Sequence, residues 1–444
     1  MRRWTAAMSP SEAWESRLAE GSIMNRYIVT RECIRGQEYL ISALYNEKKQ
    51  MLEVTPVPGG ESSLLGNIYI GKVENVVTNL NAAFVKITPE QRCYLPLSEL
   101  KNPVFTKKLS EKKALVQGDE LLVQVEREAL KTKEPAVTTN LNFSGKYVVL
   151  TTGNKRIGVS SKLPKDTRER FKELLSAEDR DYGIIVRTNA ANTSDEEVLK
   201  ELDELEARYK SLTESAQFKT CYSLLYQEPP EYLKHIKDLR EEELEEIVTD
   251  DRTIFEEICA AYGVDREELT TKGSVPVLVK EITAGTGVVL RYHDDPGITL
   301  SALYSVGAQL SGAISERVWL KSGAYLIIQP TEAMTVIDVN TGKNVAKKEV
   351  SENFLRVNKE AAEEIARQLR LRNLSGIIVV DFMNLKSKEA NAELLSYFRA
   401  ALRNDPVPTQ LVDMTKLGLV EVTRKKVRKS LREVIGSSNQ HPIA

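Results

Sequence analysis

The chain is poor in the residues that build several common catalytic centres. Its 444 residues include three histidines, which disfavours a histidine-rich catalytic or zinc site. The four cysteines lie far apart and form no C-x-x-C pair: Cys33, Cys93, Cys221 and Cys259. Neither a zinc ribbon nor a dithiol redox motif is therefore present. Scattered cysteines are typical of a reducing compartment, and we expect a cytoplasmic protein.

Long apolar runs and glycine-rich nucleotide motifs are also missing. No segment approaches the roughly 18 consecutive apolar residues that a membrane span needs. No G-x-G-x-x-G, G-x-S-x-G or H-E-x-x-H sequence occurs, and the segment at Gly342 and Lys343 lacks the remaining residues of a Walker A motif. The sequence therefore disfavours dinucleotide-binding, ATP-driven, serine-hydrolase and zinc-protease functions.

Neither sign of charge dominates the chain. The 62 Lys and Arg residues balance 64 Asp and Glu residues, which gives a formal net charge of −2. This balance excludes a uniformly basic nucleic-acid binder, but a local basic groove stays possible because the net charge averages over the surface. Apolar residues at 41% and charged residues at 28% are typical of a globular protein, and the length predicts about three domains.

The first 23 residues form a segment that we exclude from the fold. They contain Trp4 and Trp14 but not the apolar stretch of about 7–15 residues that a signal peptide requires. From Met24 onwards, short β-branched segments alternate with turns, as in a small barrel or sandwich. We predict strands at 27–30, 39–44, 66–77, 82–87, 121–126, 147–150 and 183–187, with a turn cluster at 56–60.

The second half alternates between helices and strands. A charged helix is predicted from about residue 193 to 214, and the acidic run 241–246 is expected to be the solvated face of a helix. The basic segment 424–432 is predicted to be an amphipathic surface helix that could contact phosphates. Further strands are predicted at 318–320, 325–328, 335–339 and 377–380, with helices at 351–372 and 387–403 and a strand pair around 413–418.

Two of the predicted strands end in carboxylates. Asp338 and Asn340 follow an apolar strand and share one face of it, because side chains alternate along a strand. Asp381 ends the apolar run 377–380. If the two strands are neighbours, Asp338 and Asp381 converge into an oxygen-rich site that suits Mg²⁺. The alternative is that Asp338 and Asn340 before Thr-Gly only form a turn.

Two further groups could contact RNA. Phe84 and Tyr94 in the barrel-like region could stack bases of a single strand, with Lys72 and Lys133 near the backbone, although the residues alone favour both rings as core. A second group, Arg187 and Thr188 at a strand end, could bind phosphate. The alternative reading of this second group is an ordinary surface loop.

Taken together, these segments resemble the ribonuclease E/G family of bacterial single-strand-specific endoribonucleases. The resemblance runs from about Met24 to Glu433, and the segment Arg367–Arg372 is particularly specific. Matching segments are 66–73, 82–85, 183–188, 318–323, 331–333, 337–343, 364–373 and 377–382.

The resemblance implies an α+β multidomain fold. It consists of a split RNase H-like subdomain at 24–61 and 220–288, which contains an inserted S1-type OB-fold at 62–143 and a 5′-sensor region at 144–219. A DNase I-like α/β catalytic domain at 289–435 follows, and residues 1–23 and 436–444 are an N-terminal extension and a tail.

The resemblance also implies roles for individual residues. Asp338 and Asp381 are the implied Mg²⁺ ligands, and Asn340 orients the site. The implied RNA contacts are Phe84, Tyr94, Lys72 and Lys133, whereas the implied binders of an RNA 5′-monophosphate are Arg187, Thr188 and the backbone near Val149. The expected function is Mg²⁺-dependent cleavage of single-stranded, A/U-rich RNA in rRNA maturation and mRNA decay.

The chain departs from the family pattern in three respects. It lacks the Cys-Pro-x-Cys segment, so we expect no structural zinc and no zinc-linked tetramer, although a homodimer through the catalytic domain stays possible. Asn384 stands where the family has an aspartate, and the long scaffold of E-type members is missing, so the chain is closer to a compact G-type member. These departures motivate an alternative function, a catalytically weak RNA-binding or assembly protein on the same fold.

Overall fold

The computed structural model describes nine segments of the chain. They are residues 24–59, 63–111, 114–129, 134–176, 180–239, 241–264, 281–341, 350–403 and 405–436. The predicted extension 1–23, Lys133 and the pair Gly342 and Lys343 lie outside these described residues. Within the described part of the chain, no helix combines the length and the apolar character needed to cross a membrane.

The described strands are numbered in chain order. They are β1 Asn25–Ile34, β2 Gln37–Tyr45, β3 Met51–Pro58, β4 Ile68–Val77, β5 Ala82–Lys86, β6 Arg92–Pro96, β7 Phe105–Lys107, β8 Glu120–Arg127, β9 Ala136–Thr138, β10 Asn142–Ser144, β11 Val148–Thr151, β12 Ile157–Val159, β13 Gly183–Val186, β14 Leu224–Tyr226, β15 Leu244–Thr249, β16 Glu281–Thr283, β17 Val289–Tyr292, β18 Arg317–Trp319, β19 Tyr325–Pro330, β20 Met334–Asn340, β21 Gly376–Asp381, β22 Thr409–Met414 and β23 Leu419–Arg424.

The described helices include two that the apolar periodicity predicts closely, α7 and α8. The α-helices are α1 Lys165–Ser176, α2 Asp195–Ala216, α3 Glu231–Asp238, α4 Arg252–Ala261, α5 Leu300–Leu303, α6 Val306–Ile314, α7 Val350–Leu371, α8 Lys388–Leu402 and α9 Leu431–Gly436. Side-chain caps set several of the starts; for example, Ser194 accepts a hydrogen bond from the N–H of Glu197 and Ser387 from that of Ala390.

The described residues fall into two compact units, one within the ranges 1–61 and 241–444 and the other within 62–240. The first unit contains two six-stranded sheets, in the orders β16-β17-β15-β1-β2-β3 and β18-β19-β20-β21-β23-β22. The second contains a four-stranded sheet, β10-β11-β13-β12, and a seven-stranded sheet, β14-β4-β5-β6-β9-β8-β7. The fold is therefore mixed α/β.

The seven-stranded sheet closes on itself into a small barrel. Strand β4 pairs with both β5 and β8, so β4, β5, β6, β9 and β8 form a five-stranded barrel that is consistent with an OB-fold. Gly71 allows this closure, because a Cβ there would lie 2.5 Å from Val85 and 2.9 Å from Val123. Alternation along β5 and β6 then places Val85 and Cys93 in the core and their sequence neighbours outside.

The sheet β18-β19-β20-β21-β23-β22, the C-terminal sheet, buries one face only. Its inward side chains, which include Ile337, Ile378 and Val380, pack with residues of α7 and α8 such as Ile365 and Phe398, and all five are fully buried. The other face stays open within the described residues and carries side chains such as Met334, Val336 and Ile377. Polar or reactive side chains at alternate positions of these strands therefore lie on the open face.

Two arginines of the segment 367–372 connect α7 to the first sheet. Arg367 donates to the carbonyl oxygen of Met51, and Arg370 pairs with Glu53 at 3.2 Å, both on strand β3. Arg372 is buried, and this burial together with the nearby charge of Arg367 lowers its pKa to about 10. The segment Arg367–Arg372 therefore has a packing role in this structure.

Three expectations about local structure are wrong. Pro56 and Pro58 do not form a turn but belong to β3, an edge strand that tolerates missing N–H donors. The acidic run is a helix face only at Glu241–Glu243, which form a short 3-10 helix. Beyond them the expectation fails, because β15 begins at Leu244 and Glu246 is buried beside Arg26 and Arg291. The basic segment is not one amphipathic helix either, since α9 begins only after residue 430.

A buried ion pair holds the edge of the C-terminal sheet. Arg424, predicted as a surface residue, is 4% exposed and binds both carboxylate oxygens of Asp405, at 2.7 and 3.1 Å. Its remaining nitrogen donates to Asn373 and to the carbonyl of Leu374, in the turn before β21. One guanidinium thus ties β23 to the turns before β21 and β22.

We predict that Arg424→Met lowers the free energy of unfolding by about 3–5 kcal/mol, because it leaves the Asp405 carboxylate buried without its partner. The measurement is urea unfolding followed by the fluorescence of Trp319 in a Trp4→Phe, Trp14→Phe background. Lys426→Met is the control, since the Lys426–Glu433 pair is half-exposed and contributes at most about 1 kcal/mol. Equal effects of the two substitutions would contradict the assignment.

Candidate metal centre and RNA-contacting surfaces

Parallel pairing of β20 and β21 brings the two aspartates together. The pairing register runs from Met334 opposite Ile377 to Asp338 opposite Asp381. Both carboxylates lie at the same end of the sheet, because parallel strands bring their carboxyl ends to one edge. Asp338 is half-buried and Asp381 is exposed. The structure therefore places both predicted metal ligands side by side on the open face.

The third predicted residue joins this pair. The Asn340 amide nitrogen donates a 2.6 Å hydrogen bond to one carboxylate oxygen of Asp338, from the same face of β20. This bond fixes the Asp338 side chain and leaves its second oxygen available to a ligand.

The donor set fits Mg²⁺. This ion is bound through one or two carboxylates plus waters and substrate phosphate, and Asp338 and Asp381 supply two. The described residues hold no group of three or more His, Cys, Asp or Glu that could form a larger protein cage.

On the barrel, Phe84 and Tyr94 face outwards. They are directly opposite on β5 and β6, with ring centroids 6.1 Å apart in an edge-to-face arrangement. Both are half-buried, and their neighbours Val85 and Cys93 fill the core instead. The alternative that both rings belong to the hydrophobic core is therefore wrong. The guanidinium of Arg92, which the sequence did not single out, lies 4.8 Å from the centre of the Phe84 ring.

Basic side chains continue this outward face. Lys72 is exposed on β4 and lies opposite Lys86, which in turn lies opposite Arg92 on β6. Glu74 pairs with Lys86 at 3.2 Å and with Arg92 at 3.6 Å, so part of this charge is neutralised within the protein. The row combines cations with aromatic faces, as surfaces that bind single-stranded nucleic acid do.

Arg187 lies at the end of β13, where it already has two partners. One terminal nitrogen donates to the carbonyl oxygen of Gly145 at 2.7 Å, and the other forms an ion pair with Asp238. Val149 lies on the neighbouring strand opposite Ile185, and Thr188 shares a 3.1 Å hydrogen bond with Ser160. The predicted phosphate-binding residues thus lie near one end of the four-stranded sheet. The sequence did not identify Asp238 or Ser160, because both contacts join distant segments.

Comparison with known proteins assigns the chain to a family. A model of the ribonuclease E/G family matches residues 142–427. The chain belongs to the ribonuclease E/G family. Its C-terminal sheet, with both aspartates, and its Arg187 region lie within the matched part.

Individual relatives match most of the chain at moderate identity. Ribonuclease E of Nostoc sp. is 32% identical over 413 residues, which are 92% of this chain and 57% of that relative. Ribonuclease E of Haemophilus influenzae is 32% identical over 86% of this chain and 40% of its own length, and Ribonuclease G of Escherichia coli K12 is 31% identical over 84% and 75%. The chain thus spans little more than half the length of the Nostoc relative.

Asn358 lies near the two aspartates, and the sequence analysis does not predict its contact. It lies on α7, is fully buried, and forms two hydrogen bonds with the backbone of Met383, one from its amide nitrogen at 2.8 Å and one to its oxygen at 3.1 Å. The segment immediately after Asp381 is thereby anchored to the helix. A signal was present in the sequence: Asn358 stands four and seven residues before Ala362 and Ile365, on the apolar face.

We predict that Asn358→Leu lowers the free energy of unfolding by about 1–3 kcal/mol, because it removes both partners of the N–H and C=O of Met383, which is partly buried. Hydrogen exchange should also become faster at the Met383 amide. The control is Asn391→Ala, since Asn391 only donates to the carbonyls of Leu385 and Ser387 in a more exposed region. Unchanged exchange at Met383 would show that the contact does not hold the segment.

Proposed function

We propose that this chain is a Mg²⁺-dependent endoribonuclease that cleaves single-stranded RNA and leaves 5′-phosphate and 3′-hydroxyl ends. The observation that carries the proposal is the Asp338–Asp381 pair, fixed by strand register and joined by Asn340 in a ribonuclease E/G family member. The names of the relatives, Ribonuclease E and Ribonuclease G, support RNA as the substrate.

In this proposal, each site residue has a defined task. Asp338 and Asp381 would hold the ion, and Asn340 keeps the Asp338 carboxylate in place through its hydrogen bond. When bound, Mg²⁺ supplies Lewis-acid chemistry, namely activation of water and neutralisation of charge on the phosphate. Water attacks phosphorus, the bond to the 3′-oxygen breaks, and that oxygen takes a proton. The position of the carboxylates on an open sheet face leaves room for an extended RNA strand.

We assign the subdomains on the same basis. Strands β1–β3, β15 and β16 would form the split RNase H-like subdomain at 24–61 and 220–288, although β17 of the same sheet begins at Val289, just beyond that range. The barrel would be the S1-type domain at 62–143. The 5′-sensor region at 144–219 and the DNase I-like domain at 289–435 would contain the remaining two sheets. RNA would contact Phe84, Tyr94, Lys72 and Lys133 on the S1-type domain. Functions in rRNA maturation and mRNA decay, and a homodimer through the catalytic domain, follow from the same proposal.

The 5′-monophosphate site is a further part of the proposal. Arg187 has the charge and the hydrogen-bonding fork for a phosphate, and Thr188 and the backbone near Val149 would complete the site. The carboxylate of Asp238 occupies one end of this fork. A 5′-phosphate would therefore compete with Asp238 for Arg187.

We predict that Asp338→Asn and Asp381→Asn each reduce the rate of cleavage of an unstructured A/U-rich RNA by at least about 100-fold. Loss of a residue that only hydrogen-bonds a metal ligand costs about 10–100-fold in activity, and loss of the ligand itself should cost more. The measurement is product formation with Mg²⁺ or EDTA, with an end analysis of the products and a DNA oligomer of the same sequence. Glu393→Gln is the control, since this exposed carboxylate is on the helical side of the sheet and should not change the rate.

Near-normal Mg²⁺-dependent cleavage by either aspartate variant would refute the proposed site. The alternative function, an RNA-binding or assembly protein, predicts a different pattern. The unmodified chain would then shift the RNA in a binding assay, and no Mg²⁺-dependent product would form.

We predict that cleavage is faster for an RNA with a 5′-monophosphate than for the same RNA with a 5′-hydroxyl. Arg187→Lys should reduce this ratio because an ammonium cannot present two parallel donors. Asp238→Asn should increase it by removing the competing charge. Equal rates for both RNAs with the unmodified chain would remove the 5′-sensing part of the proposal and leave the metal site untouched.

A further inference from the structure

The open face of the C-terminal sheet carries an exposed aromatic pair that no step above uses. Trp319 on β18 is 63% exposed, and its ring centroid lies 5.2 Å from that of Tyr325 on β19. The guanidinium of Arg317 lies 5.7 Å from the centre of the Trp319 ring and 4.8 Å from that of Tyr325. Among the described residues, no carboxylate forms an ion pair with Arg317 within 4.0 Å.

Strand register connects this pair directly to the metal centre. Trp319 lies opposite Tyr325, and Tyr325 lies opposite Asn340 on β20. Asn340 is two residues from Asp338, so the rings and the carboxylates share one face of the sheet. Adjacent strands are about 4.8 Å apart, which places Trp319 about 10 Å from β20.

The pair has no role in the core of the sheet. The buried side chains of β19 and β20, such as Leu326 and Ile337, point to the opposite face, towards the helices. A tryptophan with most of its surface in water gives up the stabilisation that burial would bring. Exposed aromatic rings that flank an arginine are instead the combination that binds unstacked bases and the phosphates between them.

We propose that Trp319 and Tyr325 stack bases of the RNA strand whose scissile phosphate would lie at the ion held by Asp338 and Asp381, and that Arg317 binds a neighbouring phosphate. This inference rests on the proposed endoribonuclease function and adds a base-binding subsite to it. RNA is the occupant that the charges favour, because the cation beside the rings complements a phosphate and the stack continues directly into the metal centre. Stacking accepts every base, so the subsite would give affinity and placement without sequence preference.

Trp319 provides a direct optical test. The chain has three tryptophans, and Trp4 and Trp14 can be replaced by phenylalanine to leave Trp319 as the only one. An RNA oligomer is added to this full-length variant in EDTA, where no cleavage occurs. We expect the Trp319 fluorescence to be quenched by RNA, and not by an abasic ribose-phosphate oligomer of equal length that binds through its charge alone.

The kinetic test separates base binding from chemistry. Trp319→Ala and Tyr325→Ala should each raise KM about 10-fold and leave kcat within about twofold, since loss of one stacked base weakens binding by about that factor. Trp319→Phe should restore most of the affinity. Phe218→Ala is the matched control, because this phenylalanine is 89% exposed and is not among the residues proposed to contact RNA.

Two results would overturn the inference while the proposed function stands: RNA is bound and cleaved without a change in Trp319 fluorescence, or Trp319→Ala keeps the normal KM. A third result would also overturn the inference. If Trp319 fluorescence changed with protein concentration in the absence of RNA, and if Trp319→Ala dissociated a dimer, the surface would be assigned to a second copy of the chain. Failure of the proposed function has a different signature, namely no Mg²⁺-dependent product from the unmodified chain.

Discussion

The parallel register between β20 and β21 is the constraint on which the rest of the site depends. A slip of one residue would turn Asp338 towards the helices and expose Ile337 in its place. Burial of the inward side chains against α7 and α8 opposes such a slip. The Asp405–Arg424 pair fixes the neighbouring strand β23, and Asn358 anchors the chain just after β21, so the two carboxylates meet because distant contacts hold the sheet.

The same alternation organises both units. In the C-terminal sheet, one face packs against helices and the other presents carboxylates and aromatic rings. In the barrel, small apolar side chains fill the interior, and Phe84, Tyr94 and Arg92 alternate with them on the outside. The net charge of −2 is thus consistent with functional charges that lie at only a few surfaces. Many charges neutralise each other inside the protein, such as Glu246 with Arg26, and others are gathered at a few surfaces.

Periodicity predicts the parts of this fold that are decided locally. The helices α7 and α8 and the strands β18–β21 follow from apolar spacing. The sequence predicts that Asp338 and Asp381 converge only if their strands are neighbours, and the pairing of β20 with β21 supplies that condition. What the sequence could not show depends on long-range partners. In the sequence, Arg424 and Glu246 resemble solvated charges, because their counterions lie on distant segments. The role of Asp238 is likewise visible only once the fold brings it to Arg187.

The central claim is that Asp381 ligates the catalytic metal, and replacement of its carboxylate by a thiolate tests this most directly. A thiolate is a softer ligand than a carboxylate, so Asp381→Cys should disfavour Mg²⁺ more than Mn²⁺. We predict that Asp381→Cys loses RNA cleavage in Mg²⁺ and regains a measurable part of it in Mn²⁺, whereas Glu393→Cys behaves like the unmodified chain with both ions. Full cleavage by Asp381→Cys in Mg²⁺ would contradict the account.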